Sequence, residues 1–275
     1  MCPELFLCKL SSRILFGVCL LAVGFLGLTF LEFGSLVQSL PAAETSPSAG
    51  EEVVLFDGHR TDRWEFREGA WSIDQDGALT CHMEQWKQRN GNVRTRGMGY
   101  IWTKDDYGDF ELKLAYRLSE GANSGVFFRA DPADPVQSGF EIQLLDVRGF
   151  RPAKGELDGK KRNGALYDAQ APKASPAKPV GQWNELKLTC DGPMIRVEIN
   201  GKLVNEANID QWETPGKNPD GTANKFKTAL KQLPRRGRIG FQNHGQAVWF
   251  KDVVIRRLNE PSPVVQPSRR LSSPR

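Results

Sequence analysis

From about residue 50 onward, apolar and polar side chains alternate with a period of two, and that pattern constrains the fold more than any other feature of the chain. Phe110, Leu112, Leu114, Tyr116 and Leu118 alternate with Glu111, Lys113, Ala115 and Arg117. Leu186, Leu188 and Cys190 alternate with Glu185, Lys187 and Thr189, as do Ile195, Val197 and Ile199 with Arg196, Glu198 and Asn200. Successive side chains of a strand point to opposite faces, so each segment reads as a strand with one buried face and one wet face. Asn200-Gly201 and Asp76-Gly77 supply two-residue hairpin turns. Further strands are expected at 53–56, 71–73, 78–81, 100–103, 124–130, 140–147, 202–204, 238–242 and 248–258. About a dozen strands without intervening helices predict an all-β chain, an antiparallel sandwich or jelly roll.

The first 43 residues stand apart. Lys9 and Arg13 precede an uncharged run of 18 residues over 14–31, Glu32 ends it, and Pro41, Ala42 and Ala43 follow. A basic start, an apolar stretch and small residues near a cleavage point read as a secretory signal. The run is also just long enough to span a bilayer, so membrane anchoring through 14–31 is the alternative. Either way the remainder is exported, to the periplasm or the extracellular space. Residues 44–52 form a polar linker, 53–258 the folded domain, and 259–275 a tail rich in Pro, Ser and Arg that is expected to be disordered.

The 37 Lys and Arg against 33 Asp and Glu leave a net charge of +4, spread along the chain without a long basic run. No nucleic-acid partner is expected from that distribution. Three of the five cysteines (Cys2, Cys8, Cys19) lie in the leader, leaving Cys81 and Cys190 in the domain. Two readings stand for this pair. It closes a disulfide loop of about 110 residues worth roughly 4–5 kcal/mol, or it consists of two buried thiols acting as small hydrophobes.

The strand at 139–146, Gly-Phe-Glu-Ile-Gln-Leu-Leu-Asp, carries the wrong residues for an ordinary wet face. Phe140, Ile142 and Leu144 form its apolar side, Glu141 and Gln143 the other, and a bulge between Leu144 and Leu145 would bring Asp146 round to join them. The preceding strand places Arg129 opposite Phe128, so adjacent strands would let Arg129, Glu141 and Gln143 share one surface. An arginine, a carboxylate and an amide on rigid strands suit recognition of sugar hydroxyls. The plainer alternative is a solvated face with an ion pair worth at most about 1 kcal/mol. The long segments 148–182 and 205–236 are expected to rim a binding cleft, with a short helix at 225–232.

Many short pieces occur in order: Leu-Phe-Asp-Gly at 55–58, Asp62 and Trp64, Gly-Asp-Phe-Glu-Leu at 108–112, Asn-Ser-Gly-Val-Phe-Phe-Arg at 123–129, and Gly-Phe-Glu-Ile-Gln at 139–143 with Asp146. They continue with Gly-Ala-Leu-Tyr at 164–167, Gly-Gln-Trp-Asn at 181–184, Gly-Arg-Ile-Gly-Phe-Gln at 237–242 with His244-Gly245, and Phe-Lys-Asp-Val-Val-Ile at 250–255. Together, over residues 53–258, they resemble the 3-keto-disaccharide hydrolase family, also described as 3-keto-glucoside 1,2-lyase and hydratase domains. The resemblance implies a concanavalin-like jelly-roll β-sandwich of the kind found in lectins and laminarinase-type glucanases. Glu-x-Gln-x-x-Asp also resembles the Glu-x-Asp-x-x-Glu strand of those glucanases, but Gln143 and the shorter Asp146 depart from the two carboxylates that a retaining glycosidase requires.

What the resemblance implies is an exported enzyme acting on an oligosaccharide or glycoside whose C3 ketone, supplied by an oxidoreductase, acidifies the C2 proton. In that route Glu141 is the base, Arg129 the clamp for enolate or hydroxyl, and Gln143 an orienting amide, with His244 or Tyr167 as acid or second donor. Asp146, Tyr167, Gln242 and Trp86 complete the expected substrate contacts. Trp86 and Trp212 are expected at the cleft rim, and Trp64, Trp71 and Trp183 in the core. No cofactor is required; a divalent metal on Glu141, Asp146 and His244 is an alternative whose spacing matches no standard motif. A non-catalytic carbohydrate-binding or cell-surface module on the same fold is the second reading, and a conventional glycosidase the third.

Overall fold

The computed structural model describes residues 50–152 and 155–258. The signal or anchor segment, most of the linker and the tail lie outside them. Fifteen strands occur among the described residues: β1 (Glu52–Phe56), β2 (Trp64–Phe66), β3 (Trp71–Ile73), β4 (Leu79–Cys81), β5 (Met83–Lys87), β6 (Val93–Gly97), β7 (Ile101–Thr103), β8 (Phe110–Leu118). They continue with β9 (Asn123–Ala130), β10 (Phe140–Leu145), β11 (Asn184–Asp191), β12 (Met194–Ile199), β13 (Lys202–Asn208), β14 (Arg238–Phe241) and β15 (Val248–Arg257). An eight-stranded sheet runs β13-β12-β11-β8-β15-β4-β3 with β1 beside β15, a five-stranded sheet runs β10-β9-β14-β7-β2, and β5 and β6 pair as a separate hairpin. The chain is an all-β jelly-roll sandwich.

The alternation read from the sequence decides what lies between the sheets. Phe110, Leu112, Leu114, Tyr116 and Leu118 of β8 share one core with Val126 and Phe128 of β9 and with Phe140, Ile142 and Leu144 of β10. Phe128 stacks on Phe140 at 5.4 Å and meets Phe110 edge-on at 6.4 Å. β2 and the β5–β6 hairpin were not legible in advance. Three residues are too few to show a period, and both hairpin strands are largely exposed. Cys81 and Cys190 are buried free thiols. The helix expected at 225–232 is a single 3₁₀ turn, Leu230–Gln232.

The segment 148–182 is less irregular than its composition suggests. Gly164 N donates to Gln143 O (2.8 Å), Gln143 N to Ala165 O (3.0 Å) and Tyr167 N to Glu141 O (2.9 Å), so residues 164–167 cover the edge of β10. Edge strands left bare invite unwanted pairing; here the cover also brings Tyr167 to the backbone of Glu141.

Arg129 departs from expectation. By parity it would share the outer face of β9 with Phe127. Its φ of 49° and the register shift between Arg238 and Gly240 on the neighbouring strand break that parity. The fully buried guanidinium donates from Nε to Gly108 O (2.9 Å), from Nη1 to Gly192 O (2.9 Å) and from Nη2 to Asp109 Oδ1 (2.8 Å). Gly108 and Asp109 lead into β8, and Gly192 turns β11 into β12. The arginine therefore ties the five-stranded sheet to the eight-stranded one, and its donors are spent on that tie instead of on Glu141. Replacing Arg129 by Met takes the donors from two carbonyls and the cation from Asp109, which keeps its bond from Gly192 N (2.9 Å), for an expected cost of about 3 kcal/mol and a Tm roughly 10 °C lower in thermal unfolding. Arg129→Lys should recover only part of this, because an ammonium cannot reproduce the three-acceptor fork.

Candidate active site

Strand registers lay out the outer face of the five-stranded sheet as rows. Glu141 pairs with Phe127, Phe127 with Gly240, Gly240 with Trp102, and Trp102 with Glu65, which makes one row across all five strands. In the next row Gln143 pairs with Gly125, and Gln242 N donates to Gly125 O at 2.9 Å. Continuing the same registers brings in Tyr100 and Arg67. Two glycines make this surface what it is. A Cβ on Gly125 would stand 2.8 Å from Cγ and 2.9 Å from Cδ of Glu141, so the missing side chain is the space that the carboxyl occupies. A Cβ on Gly240 would stand 2.8 Å from Cδ2 of Trp102, so that glycine lets the indole lie flat across the sheet. Tyr100 stacks on Phe127 at 5.6 Å, and Trp102 sits 5.7 Å from the same ring.

The cation beside Glu141 comes from a loop. Lys225 Nζ stands 3.9 Å from Glu141 Oε2 and 4.0 Å from the centroid of the Tyr167 ring. Its backbone is held on both sides. Lys225 N donates to Asp168 Oδ2 (2.6 Å), Gln137 Nε2 donates to Lys225 O (3.0 Å), and Lys227 N donates to Gln137 Oε1 (2.9 Å). Gln137 belongs to the short helix α1 (Pro135–Ser138) between β9 and β10.

Glu141 is 5% exposed, and its Oε1 is buried with no hydrogen-bond partner among the described residues. Burial pushes its carboxyl up to about 7, against the opposing pull of Lys225. Burial likewise lowers Lys225, partly offset by Glu141 and Asp168. The phenols of Tyr167 and Tyr100 are raised, first by burial and then by the charge of Glu141 in the case of Tyr167; for Tyr100 the amide of Gln242 offsets part of the rise. Gln242 Oε1 is a second buried acceptor without a partner among the described residues. The side chain of Gln143 is fixed, its Nε2 donating to Asn123 Oδ1 (2.7 Å) and Ser124 O (2.9 Å).

Glu141, Gln143, Gln242 and Tyr167 therefore come together as the sequence implied, and Arg129 does not. Nor does Asp146. The register of β10 with β9 is unbroken through Leu145, so the bulge is absent, and the Asp146 carboxylate caps a turn by accepting from Gly121 N (2.9 Å), Arg148 N (3.1 Å) and Gly149 N (3.0 Å). His244 is exposed on the loop between β14 and β15, whereas the adjacent Asn243 is buried and donates to His82 O at 2.6 Å. Glu141, Asp146 and His244 thus do not converge as a metal-binding set. Trp86 is 43% exposed on the β5–β6 hairpin. Trp212 is buried in the core, not at a rim, with Nε1 donating to Asn218 Oδ1 (2.8 Å). Trp64 and Trp71 are core residues. Trp183 is not; it is half-buried, with Arg117 at 4.9 Å and Lys251 at 4.8 Å. Sequence reasoning missed Lys225 and Tyr100. The only signal for Lys225 was the length of its loop, and Tyr100 looked like the ordinary start of a strand.

A family model described as a 3-keto-alpha-glucoside-1,2-lyase-like domain matches residues 51–256. A 3-keto-disaccharide hydrolase of Bacteroides thetaiotaomicron is 26% identical over 255 residues, covering 82% of this chain and 86% of that protein. A solved structure from Parabacteroides distasonis, described as a candidate glycosyl hydrolase, has a TM-score of 0.65 at 30% identity and covers 76% of this chain and 100% of its own. Another candidate glycosyl hydrolase from the same organism has a TM-score of 0.60 at 20% identity, over 76% and 94%, and shares the fold.

The raised Glu141 carboxyl has a consequence for stability. A group whose folded pKa lies above its unfolded value stabilises the fold below the unfolded value, about 4.5, and loses that contribution as pH rises through about 7. Glu141→Gln is therefore expected to leave Tm nearly unchanged at pH 4. At pH 8 it should stabilise the protein by up to roughly 3 kcal/mol, with calorimetry across pH as the check.

Proposed function

Because the chain belongs to the 3-keto-alpha-glucoside-1,2-lyase-like family, we propose that it is an exported enzyme that cleaves 3-keto-glycosides by elimination followed by hydration. One observation carries this reading above the others: a buried carboxylate oxygen, Glu141 Oε1, has no partner among the described residues, and its carboxyl titrates near 7 beside a lysine. A carboxyl of that kind is matched to proton abstraction at neutral pH.

Glu141 takes the proton from C2, and the electron pair of that C–H bond forms the C2–C3 double bond of an enolate. The negative charge on the C3 oxygen is met by Lys225, which takes the part first expected of Arg129. The enolate then returns its electrons toward C1 and breaks the bond to the leaving group, which departs with a proton supplied by Tyr167 or Lys225. Water adds to the resulting double bond, its oxygen to C1 and a proton to C2, and the sum of the two stages is hydrolysis. Gln143 and Gln242 offer amide oxygens to the sugar hydroxyls. Asp146 supplies no second carboxylate to Glu141, so the geometry gives no support to a retaining glycosidase mechanism. An oxidoreductase must install the ketone beforehand, and the leader at 1–43 supports export, with anchoring through 14–31 if it is retained.

Purified protein is expected to turn over 3-keto-glucosides at a rate that rises with pH through about 7, where Glu141 ionises. Glu141→Gln should lower kcat by about 10²–10⁴-fold, and Lys225→Met by about 10²–10³-fold. Lys225→Met should also move the pH midpoint upward, since the cation that lowers Glu141 is gone. Sugar binding without turnover in the wild type would point instead to a binding module.

A further inference from the structure

The two carboxylate oxygens of Glu141 meet different surroundings. Oε2 faces Lys225, whereas Oε1 stands in the space that a side chain on Gly125 would fill. Gly125 lies between Gln143 of β10 and Gln242, the residue directly after β14. Gln242 is seated firmly on the far side of that space. Its N donates to Gly125 O (2.9 Å), and its O accepts from Ser124 Oγ (2.7 Å).

Two acceptors on residues at least nine-tenths buried therefore border one gap. Neither Glu141 Oε1 nor Gln242 Oε1 has a hydrogen-bond partner among the described residues. The amide of Gln143 in the same row does not serve them, because its Nε2 is spent on Asn123 Oδ1 and Ser124 O. Buried acceptors are nearly always met, since an unmet one has lost its bonds to water without replacement. Whatever meets this pair must bring two hydrogens into one small gap. A sugar hydroxyl carries one hydrogen; a water molecule carries two and bridges buried groups of this kind.

We propose that Glu141 Oε1 and Gln242 Oε1 hold the water that adds in the hydration stage, which makes Gln242 the positioning residue of that stage. This rests on the reading of Glu141 as the base. Elimination leaves Glu141 protonated, with the C2 proton on Oε2. A lone pair of the held water then forms the bond to C1, and the electrons of the C1–C2 double bond shift to give the C3 enolate opposite Lys225. The enolate takes the proton of Oε2 at C2 while Oε1 accepts one from the water, so the carboxyl ends with one proton, as it began. That proton passes to whichever of Tyr167 and Lys225 protonated the leaving group, and both groups are restored. A water already in place converts the unsaturated sugar before it leaves. An amide oxygen has two lone pairs, so Gln242 keeps its contact with a sugar hydroxyl.

The test follows both stages on a nitrophenyl 3-keto-glucoside with the full-length protein. Nitrophenol release reports elimination, and the ultraviolet absorbance of the conjugated ketone reports the unsaturated sugar. The wild type should yield the hydrated sugar with little of the unsaturated one. Gln242→Met, which keeps the volume and removes the acceptor, should slow hydration by about 10²-fold and elimination far less, so that the unsaturated sugar accumulates. Gln242→Asn, whose acceptor falls one methylene short, should lie between. Equal slowing of the two stages in Gln242→Met, or accumulation in the wild type to the same extent, overturns the inference. A second measurement needs no variant. Methanol has a single O–H and cannot bridge both acceptors, so the wild type in dilute methanol should give the water adduct in excess of the solvent ratio. Methyl 3-keto-glucoside formed in proportion to the methanol present overturns the inference as well. If the wild type releases no nitrophenol, the reading of Glu141 as the base fails first, and the inference falls with it.

Discussion

A guanidinium buried between two β-sheets needs acceptors or it destabilises the fold, and each of the three nitrogens of Arg129 finds one, on Gly108, Gly192 and Asp109. Those three residues sit at the ends of β8 and β11 in the opposite sheet, so the arginine fixes how the five-stranded sheet lies over the eight-stranded one. The floor of the site is built entirely on the five-stranded sheet, whose own strand pairing holds Glu141, Gly125 and Gln242 in register. Because the arginine is spent on architecture and Arg238 of β14 is paired with Glu65, no strand-borne cation is left beside the Glu141 carboxyl.

The missing charge is supplied from outside the sheet. Lys225 reaches Glu141 from a loop that Asp168 and Gln137 hold by its backbone, so its position is set by hydrogen bonds to two other parts of the chain. The balance between burial and pairing is visible in the titration of Glu141. A lysine at 3.9 Å favours the ionised carboxylate, yet the pKa still rises to about 7, so desolvation outweighs the ion pair. A well-bonded surface pair would have been lowered and inert. Here the fold gives up some stability at neutral pH and holds a base that is neither permanently charged nor permanently neutral.

Much of the fold was legible because its cause is local. Period-two alternation follows from backbone geometry, so the inward faces of β8, β11 and β12 could be read directly from Phe110–Leu118 and its counterparts. The same parity correctly put Glu141 and Gln143 on the face opposite Phe140 and Ile142. It failed at Arg129, where a positive φ turned the side chain away from its expected face, and at Asp146, where an unbroken register left no bulge. Trp212 looked like a rim residue because its neighbours are polar, but it is buried and its indole nitrogen is satisfied by Asn218 from the same loop.

The sequence by itself determined the all-β class, the buried faces of the long strands, the membership of one family and the outward carboxylate of Glu141. Each of these rests on short-range pattern or on the order of short motifs along the chain. Tertiary structure alone decided which cation meets that carboxylate, which arginine is structural, and where the aromatic floor of Tyr100, Trp102 and Phe127 assembles. Lys225 is 84 residues from Glu141 in the chain, and Gly240 and Trp102 become neighbours only through strand pairing. Contacts of that kind depend on the paths of the loops and the order of the strands, which leave no period in the sequence to read.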